Sequence, residues 1–271
     1  MTGDDYSFKA FSEQPFYQAV NERLVESAHL KPGWRVVDAA CGTGSVTSLV
    51  AERIRGARDA LVVGLDRSKA ALEEARARLA DTRDAVVQFV EGQAEQMSQA
   101  IKGAADAVFL ANCVHYFENK SELIAEARRT LRPGGVFAFN TTFFEGAVLK
   151  ETERFYRRWM LRALRMLKER HDLKPSREKT QARQQLNAEE YRELLESNGF
   201  LVSVLDLVPV SVVEQGWIDI CRYADFIAGV MPGVPVDCAS DVLCQALRAT
   251  FEELQLESVP RNWLTVVAQR A

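Results

Sequence analysis

The sequence has few of the residues from which metal centres and disulfide frameworks are built. Its 271 residues include only five cysteines and three histidines. No two cysteines form a Cys-x-x-Cys pair, and the histidines and acids are scattered rather than set at the spacing of metal ligands. The pattern therefore predicts no metal site and no disulfide framework. It favours reduced thiols in a cytoplasmic protein.

The sequence also predicts no targeting segment and no membrane span, and it has no excess of positive charge. No charged-then-apolar stretch of the secretory kind opens the sequence, and no uncharged apolar run could span a bilayer. A formal net charge of −4 argues against nucleic acid as the partner of the whole protein. The composition, 47% hydrophobic and 27% charged, predicts a globular chain with a substantial core, built as one domain or as one domain with an insertion.

The most informative stretch that is present reads VVDAACGTG over residues 36–44, and an amphipathic helix pattern follows it. A short β-branched run, an acid and a small-residue loop predict the strand–loop–helix unit of a nucleotide-binding α/β sheet. Gly42 and Gly44 let the backbone approach a ligand closely and tolerate a positive φ. A dinucleotide loop would have a third glycine where Thr47 stands. The carboxylate of Asp38 suits a cationic ligand better than a pyrophosphate.

Written as acid-x-Ala-x-Gly-x-Gly, this loop resembles the first motif of the class I S-adenosylmethionine-dependent methyltransferases. The family usually has glycine where this chain has Ala40. The other interpretations of the loop are a tight turn in another α/β protein and the loop of a nicotinamide-dependent dehydrogenase. The rest of the chain decides between them.

Further landmarks of the family follow in order, and the resemblance covers roughly residues 34–142. Asp66 ends a second apolar run about 20 residues after the loop, where an acid can accept hydrogen bonds from ribose hydroxyls. Gln93 stands where the family has an aspartate that contacts adenine, and an amide oxygen can still accept that bond. The turn at residues 131–135, LRPGG, also resembles the family. The resemblance implies cofactor contacts by Asp38, Ala40, Gly42, Gly44, Asp66, Arg67, Gln93, Ala94 and Asn112.

The segment after the fourth predicted strand carries the sharpest candidate for chemistry. In open α/β sheets, ligands bind at the carboxyl ends of the strands, so residues 112–117 are expected to face the pocket. An imidazole titrates near neutral pH, and His115 is therefore predicted to take a proton from the methyl acceptor. Tyr116 is predicted to shape the acceptor site. The alternative, which stays open, is a histidine that only packs or hydrogen-bonds locally.

The predicted fold class is α/β: a doubly wound, mostly parallel, seven-stranded Rossmann-like sheet with helices on both faces, an antiparallel last strand and a helical cap insertion. We expect one methyltransferase domain over residues 1–271. Its predicted parts are an N-terminal lid helix (1–30), a cofactor-binding core (31–144), a basic helical cap insertion (145–187) and the C-terminal part of the sheet with extra cap helices (188–271).

The predicted cap would choose the substrate. Residues 150–183 contain twelve Lys and Arg against five Asp and Glu, in a chain whose net charge is negative. This basic segment is predicted to be a solvated lid, or to meet an acidic carrier protein or an anionic membrane surface. Tyr6 and Phe11 near the N-terminus, and Phe155 and Trp159 in the cap, are candidate substrate-binding residues. Their alternative role is core packing.

The resemblance implies S-adenosyl-L-methionine as the cofactor and S-adenosyl-L-homocysteine as the product. The expected reaction is O-methylation of a lipophilic small molecule in secondary, polyketide-like metabolism, with the acceptor free or on an acidic carrier. The alternatives are methylation of a membrane-associated lipid or quinone at oxygen, nitrogen or carbon, and a cofactor-binding protein without methyl transfer. The sequence leaves the oligomeric state open.

Overall fold

The structure is a computed structural model, and it describes residues 6–82, 85–176 and 185–271. The chain divides into two compact units. Unit 1 comprises Met1–Tyr17, Val148–Arg183 and Pro209–Asn262. Unit 2 comprises Gln18–Ala147, Gln184–Val208 and Trp263–Ala271. The predicted subdivision at residues 30, 144 and 187 stays a prediction.

Seven strands form one mixed sheet. They are β1 (Arg35–Ala39), β2 (Leu61–Asp66), β3 (Val86–Glu91), β4 (Ala105–Ala111), β5 (Leu131–Thr141), β6 (Phe200–Val213) and β7 (Ser258–Arg270). Their order is β3-β2-β1-β4-β5-β7-β6. The first five strands pair in parallel, and β7 pairs antiparallel with β5. The predicted fold class, including the antiparallel last strand, is confirmed.

The central strands are continuous apolar runs because helices cover both faces of the sheet. Val37 of β1 lies in register with Val63 of β2 and Val108 of β4, and all three side chains are buried in one core cluster. The alternating residues Val36 and Val62 are buried in a second cluster. Unit 2 therefore has two apolar layers, one on each face of its sheet.

The helices of the described residues follow the capping signals in the sequence. They are α1 (Lys9–Ser12), α2 (Pro15–Ser27), α3 (Ser45–Ile54), α4 (Lys69–Arg78), α5 (Lys120–Thr130), α6 (Glu153–His171), α7 (Ala188–Ser197), α8 (Glu214–Ile220), α9 (Ala224–Val230) and α10 (Val236–Leu254). The Ser68 hydroxyl caps α4 by accepting from the Ala71 amide at 3.2 Å. Asn187 and Glu190 form a capping box at the start of α7.

Three local predictions differ from the structure. The apolar-rich pattern of residues 217–230 predicts one helix. The structure has two helices in that region, because Tyr223 is extended between them and packs its ring 5.0 Å from Phe8. The sequence predicts a strand over residues 200–208 whose continuation Pro209 weakens, but β6 runs through Pro209 to Val213. As β6 is the edge strand of the sheet, proline can lie in it without removing a hydrogen bond that the sheet needs. The LRPGG turn lies within β5 as a register shift opposite Ala105–Ala107.

Aromatic rings and two 19-residue helices, α6 and α10, form the interior of unit 1. Its packed rings include Phe155, Tyr156, Trp159, Trp217 and Phe251, with centroid separations between 5.2 and 5.9 Å. No helix in the part of the chain that the structure describes has both the length and the apolar character needed to cross a membrane.

Candidate active site

The candidate site lies at the carboxyl ends of the parallel strands of unit 2. Asp38 of β1 is in register with Gly64 of β2, and Ala111 of β4 is in register with Asn140 of β5. The polar residues that end or follow these strands are therefore brought to one edge of the sheet. This edge is where ligands bind in open α/β sheets.

The loop between β1 and α3 has three residues with left-handed backbone geometry. Ala40, Gly42 and Gly44 have φ values of 53°, 55° and 80°. A Cβ atom built on Gly42 would meet nothing within 4 Å, so the backbone there borders open space. A Cβ on Gly44 would lie only 3.1 Å from the side chains of Ala75 and Leu79. Gly42 thus leaves room for a ligand, whereas Gly44 allows close packing of α4.

Asp38 is a buried carboxylate that the protein satisfies only in part. The side chain is 1% exposed, and its Oδ2 accepts a hydrogen bond of 2.6 Å from the Thr47 hydroxyl. Its Oδ1 is buried without a hydrogen-bond partner in the described residues. Burial, with a smaller contribution from the negative charge of Asp66, raises the pKa of Asp38 to about 7. An ammonium group would supply the missing donor and charge, so Asp38 fits the amino group of S-adenosylmethionine.

Asp66 holds the glycine loop in place. Its Oδ2 accepts from the Gly42 amide and its Oδ1 from the Ser68 amide, both at 2.8 Å. Each carboxylate oxygen keeps a further lone pair, so hydrogen bonds to ribose hydroxyls remain available. The acid therefore shapes the backbone in addition to its predicted ligand contact. The neighbouring Arg67 is exposed.

The predicted adenine contacts lie after β3. Gln93 is exposed and precedes a 3-10 turn over Ala94–Gln99. Ala94 is buried, and it belongs to the core cluster that also contains Met97. The predicted contacts of Gln93 and Ala94 with adenine stay predictions.

A chain of asparagines joins β4, β5 and α2. The Asn112 backbone amide donates to Oδ1 of Asn140 at 2.9 Å, and Nδ2 of Asn140 donates to Oδ1 of Asn21 at 3.1 Å. Oδ1 of Asn112 accepts from the Thr142 amide at 3.2 Å. The side-chain oxygen of Asn112 therefore ties together two strand ends. Sequence reasoning missed Asn21 and Asn140, although a lone asparagine in the apolar run of β5 was a usable signal.

His115 lies in a 3-10 turn, Val114–Tyr116, directly after β4. Its ring is 8% exposed and packs between Tyr116 and Phe143, with centroids 4.1 and 4.3 Å away. The Nδ1 atom lies 3.3 Å from the Thr141 hydroxyl oxygen. The ring is therefore held by both packing and polar contact. This geometry is compatible with a positioned base and also with a local packing role.

The other predicted substrate-binding residues belong to unit 1. Phe11 is buried among aromatic rings, with Phe16 and Tyr17 at centroid distances of 5.4 and 5.3 Å. Phe155 and Trp159 lie inside the aromatic interior of that unit. Tyr6 is partly exposed. The structure brings Asp38, Asp66, Asn112 and His115 to one sheet edge within unit 2, and the substrate roles of the unit 1 residues stay predictions.

Two sequence-based expectations concern groups of charged side chains. Within residues 6–82, 85–176 and 185–271, no three His, Cys, Asp or Glu side chains are grouped as ligands for a metal ion. Of the bases and acids counted between 150 and 183, Arg177, Glu178, Lys179 and Arg183 lie outside the described residues.

Comparison with known proteins shows that the region from β1 to β5 is similar to methyltransferases. Residues 37–139 match the family described as "Methyltransferase domain". A trans-aconitate 2-methyltransferase of Azoarcus sp. is 32% identical over 51% of this chain and 49% of its own length. A malonyl-[acyl-carrier protein] O-methyltransferase of Serratia marcescens is 34% identical over 45% of this chain and 44% of its own length. A 27-O-demethylrifamycin SV methyltransferase of Amycolatopsis mediterranei is 32% identical over 44% and 42%.

The chain thus spans about half the length of the curated relatives that it matches. Solved structures extend the similarity of fold over nearly all of it. A [4+2]-cyclase, SpnF, has a TM-score of 0.57, 18% identity, and covers 94% of this chain and 81% of its own. A phosphoethanolamine N-methyltransferase 2 of Haemonchus contortus, bound to S-adenosylhomocysteine, has a TM-score of 0.56, 16% identity, and covers 97% and 56%.

These matches confirm the predicted resemblance to the class I S-adenosylmethionine-dependent methyltransferases, and with it the predicted cofactor. They decide against the nicotinamide-dependent dehydrogenase. The matched segment begins one residue before Asp38 and ends within β5, so it contains every predicted cofactor-binding residue. The acceptor is not fixed by these matches, because the relatives carry different substrate names.

Proposed function

Because residues 37–139 match the family described as "Methyltransferase domain", we propose that the protein transfers the methyl group of S-adenosylmethionine to an oxygen atom of a lipophilic small molecule. The observation that carries the methyl-transfer proposal is the half-satisfied Asp38 carboxylate beside the open backbone at Gly42. This arrangement suits a ligand that has an ammonium group and must approach the chain closely.

When bound, the cofactor supplies an electrophilic methyl group on a sulfonium, so the protein mainly has to align the acceptor and exclude water. Asp38 binds the ammonium of the amino-acid end, and Gly42 lets the backbone approach it. Asp66 binds the ribose hydroxyls while it fixes the loop. Gln93 and Ala94 flank the adenine. Asn112 supports the methionine end through its tie to Thr142.

His115 is the proposed base. An oxygen acceptor that receives a methyl group must lose its proton, and an imidazole held in place can take it. The Thr141 hydroxyl beside Nδ1 and the rings of Tyr116 and Phe143 fix the orientation of the imidazole. We assign Thr141 a positioning role, because its hydroxyl acts on the acceptor only through His115.

The proposed acceptor is a polyketide-like secondary metabolite, presented free or on an acidic carrier protein in the cytoplasm. Two of the relatives support oxygen as the methylated atom, since their names describe O-methylation of a malonyl-carrier protein and of a rifamycin. The exposed arginines of α6 favour an anionic partner. The second candidate is methylation of a membrane-associated lipid or quinone, which the same arginines support.

A binding experiment tests the cofactor first. Calorimetric titration of the wild type with S-adenosylmethionine and S-adenosylhomocysteine is expected to give micromolar dissociation constants, whereas NADH gives no heat of binding. Asp66→Asn is expected to weaken both adenosyl ligands more than tenfold, because it removes the charge and disturbs the bond to Gly42. Asp59→Asn changes an exposed acid and is the matched control. Absence of adenosyl binding at millimolar ligand contradicts the proposal.

A second experiment separates catalysis from cofactor binding. Methyl transfer is screened with polyketide, acyl-carrier and quinone acceptors, and wild type is compared with His115→Gln on the best acceptor. We expect kcat to fall by about 10²- to 10⁴-fold with an unchanged affinity for S-adenosylhomocysteine. Thr141→Val is expected to shift the pH–rate profile rather than abolish turnover. An unchanged kcat in His115→Gln contradicts the assignment of the base. If no acceptor in the panel is methylated, a cofactor-binding role without methyl transfer replaces the proposal.

A further inference from the structure

Helix α6 has a surface face whose cations have no acidic partner among the residues that the structure describes. Arg154, Arg157, Leu161, Leu164 and Arg165 form this arginine–leucine face. At 100° per residue they fall within about 100° of the helix circumference. All five side chains are exposed, and Leu161, with an exposed fraction of 59%, is the more exposed of the two leucines. The face runs for about 16 Å, or roughly three helical turns.

Other arginines of α6 hold unit 1 together. Arg158 and Arg162 form ion pairs with Glu253 of α10, and Arg170 pairs with Asp241 of the same helix at 3.4 Å. By contrast, Arg154, Arg157 and Arg165 form no ion pair or hydrogen bond with any residue that the structure describes. The acids nearest in sequence on α6, Glu153 and Glu169, form none with them either. Folding of unit 1 therefore does not account for these three charges.

The opposite side of α6 is buried. Phe155, Trp159, Ala163 and Leu167 lie in the interior of unit 1. The apolar stripe of α6 is therefore packed within the protein. Leu161 and Leu164 form a second, smaller apolar area on the exposed side, and arginines surround it. A small apolar centre with a charged rim is the anatomy of a protein–protein contact.

We propose that the arginine–leucine face binds an acidic helix of a carrier protein that presents the methyl acceptor. The choice of this partner rests on the proposed function, whereas the contact itself rests on the unpaired charges. Carboxylates three or four residues apart on such a helix would meet the guanidinium groups, and an apolar side chain between them would cover Leu161 and Leu164. An acidic helix thereby supplies the carboxylates with which Arg154, Arg157 and Arg165 can pair.

The chemistry of the face favours a protein over a membrane. All three unpaired cations are arginines, whose planar guanidinium groups bind carboxylates through two parallel hydrogen bonds. An amphipathic helix that lies in a membrane interface buries its apolar stripe in the lipid, whereas the apolar stripe of α6 is buried in unit 1. The protein as a whole also has a net charge of −4, which weakens attraction to an anionic bilayer.

Binding to a discrete acyl carrier protein that bears 4′-phosphopantetheine tests the proposal. We expect micromolar binding by wild type at low salt that weakens as salt is raised. The variant R154E/R157E/R165E is expected to bind about a hundredfold more weakly, because three attractions become repulsions. The control K31E/R58E/K102E makes the same change of charge at exposed cations of unit 2 and is expected to lose less than threefold.

Two further variants identify what the face recognises. R154K/R157K/R165K keeps the charge but loses the bidentate geometry, and we expect binding about fivefold weaker than wild type. L161S/L164S removes the apolar centre and is expected to weaken binding about tenfold. Thermal unfolding and binding of S-adenosylhomocysteine are measured for each variant and are expected to match wild type, because all five side chains are exposed.

Sedimentation with phosphatidylglycerol vesicles tests the alternative that the face binds an anionic membrane. Carrier binding that is lost in R154E/R157E/R165E and kept in the control supports the proposal. Sedimentation with vesicles without carrier binding overturns it in favour of a membrane. Equal loss in the control variant, or no binding to either probe, also overturns it. Failure of the proposed function appears separately, as wild type that binds the carrier but no S-adenosylmethionine.

Discussion

Each of the two units buries a polar side-chain group, and the two groups differ in how far the protein satisfies their hydrogen bonds. In unit 2, Asp38 at the end of β1 is a buried carboxylate, and one of its oxygens has no hydrogen-bond partner among the described residues. In unit 1, Trp159 is a buried indole whose Nε1 donates to the Leu243 carbonyl at 3.0 Å and whose ring packs among other rings. Burial of Asp38 lowers the stability of the ligand-free protein, whereas the one polar group of Trp159 has its hydrogen-bond partner within the protein.

This difference separates ligand binding from folding. A buried carboxylate without a full set of partners lowers the stability of the native state, so its presence points to a ligand that completes it. A buried, hydrogen-bonded aromatic ring stabilises the native state without any ligand. The same contrast bears on Phe155 and Trp159, which were candidates for substrate binding and have the contacts of core residues. Measurements on variants of Trp159 and Asp38, and on the pH dependence of cofactor binding, test this contrast.

The largest expected effect is on the stability of unit 1. Trp159→Ala removes a 2% exposed ring and its hydrogen bond, so we expect the free energy of unfolding to fall by about 3–5 kcal/mol in urea denaturation. Leu161→Ala on the exposed side of α6 is the control and is expected to change it by less than about 0.5 kcal/mol. A stable Trp159→Ala protein that has lost only acceptor turnover would assign this indole to the substrate instead.

The next effect concerns Asp38 and has opposite signs for binding and for stability. Asp38→Asn keeps an oxygen for the Thr47 hydroxyl but removes the charge. We expect about hundredfold weaker binding of S-adenosylhomocysteine by calorimetry. We also expect the free energy of unfolding at pH 8 to rise by about 1–3 kcal/mol in the ligand-free protein. Loss of both binding and stability would show that the carboxylate serves the fold.

The pH dependence of cofactor binding gives a smaller effect with a definite sign. Burial raises the pKa of Asp38 to about 7, whereas the unfolded chain has the ordinary aspartate value. The ammonium of the cofactor binds the ionised carboxylate, so affinity is expected to be constant above pH 7 and to fall by up to about tenfold per unit below it. Titrations in buffers of different ionisation enthalpy should then show proton release at pH 6. A flat affinity profile from pH 5.5 to 8, or the same profile in Asp38→Asn, contradicts this linkage.

In the ligand-free protein, the contribution of Asp38 to the free energy of unfolding should fall as the pH rises, whereas cofactor affinity rises. Because the folded pKa of Asp38 is raised, the native state keeps a proton that the unfolded chain has lost between about pH 4 and pH 7. The contribution of this group to stability is therefore greatest below pH 4 and declines as the pH rises to 7. Cofactor affinity and the stability contribution of Asp38 thus have opposed pH slopes.

Much of the sheet could be predicted from the sequence, because buried parallel strands are apolar runs that end in polar residues. The apolar run of residues 105–111 predicts β4 with the bounds that the structure has, and the helical pattern of residues 188–197 does the same for α7. Ser68 marks the start of α4. The break between α8 and α9 could not be predicted, since it depends on the packing of Tyr223 on Phe8, more than 200 residues away. Local propensity carries no information about such a contact.

The site could be predicted less completely than the fold. Asp38 and Asp66 belong to the loop motif, but the sequence does not show that Asp66 binds the Gly42 amide. The bond from Asn140 to Asn21 joins residues far apart in the chain, and no short motif contains both. Core and pocket aromatics have the same composition, so Trp159 could be placed in a helix but not assigned to a role.

The smallest expected effect comes from the one position where the loop departs from the family motif. Ala40 stands where glycine is usual, and its φ of 53° lies in the left-handed region, which costs a residue with a Cβ roughly 1 kcal/mol. Ala40→Gly removes that strain but adds backbone entropy to the unfolded chain, which offsets part of the gain. We therefore expect the free energy of unfolding to rise by about 0.3–0.8 kcal/mol in urea denaturation, with cofactor affinity within twofold of wild type.

Ala39→Gly is the matched control, because the adjacent residue is buried in β1 and does not have a positive φ. There glycine only adds unfolded-state entropy and removes a buried methyl group, so stability is expected to fall by about 1 kcal/mol. Opposite signs at two neighbouring alanines would show that the loop conformation, rather than its composition, sets the preference for glycine. Destabilisation at both positions would mean that the Cβ of Ala40 contributes packing that outweighs its backbone strain.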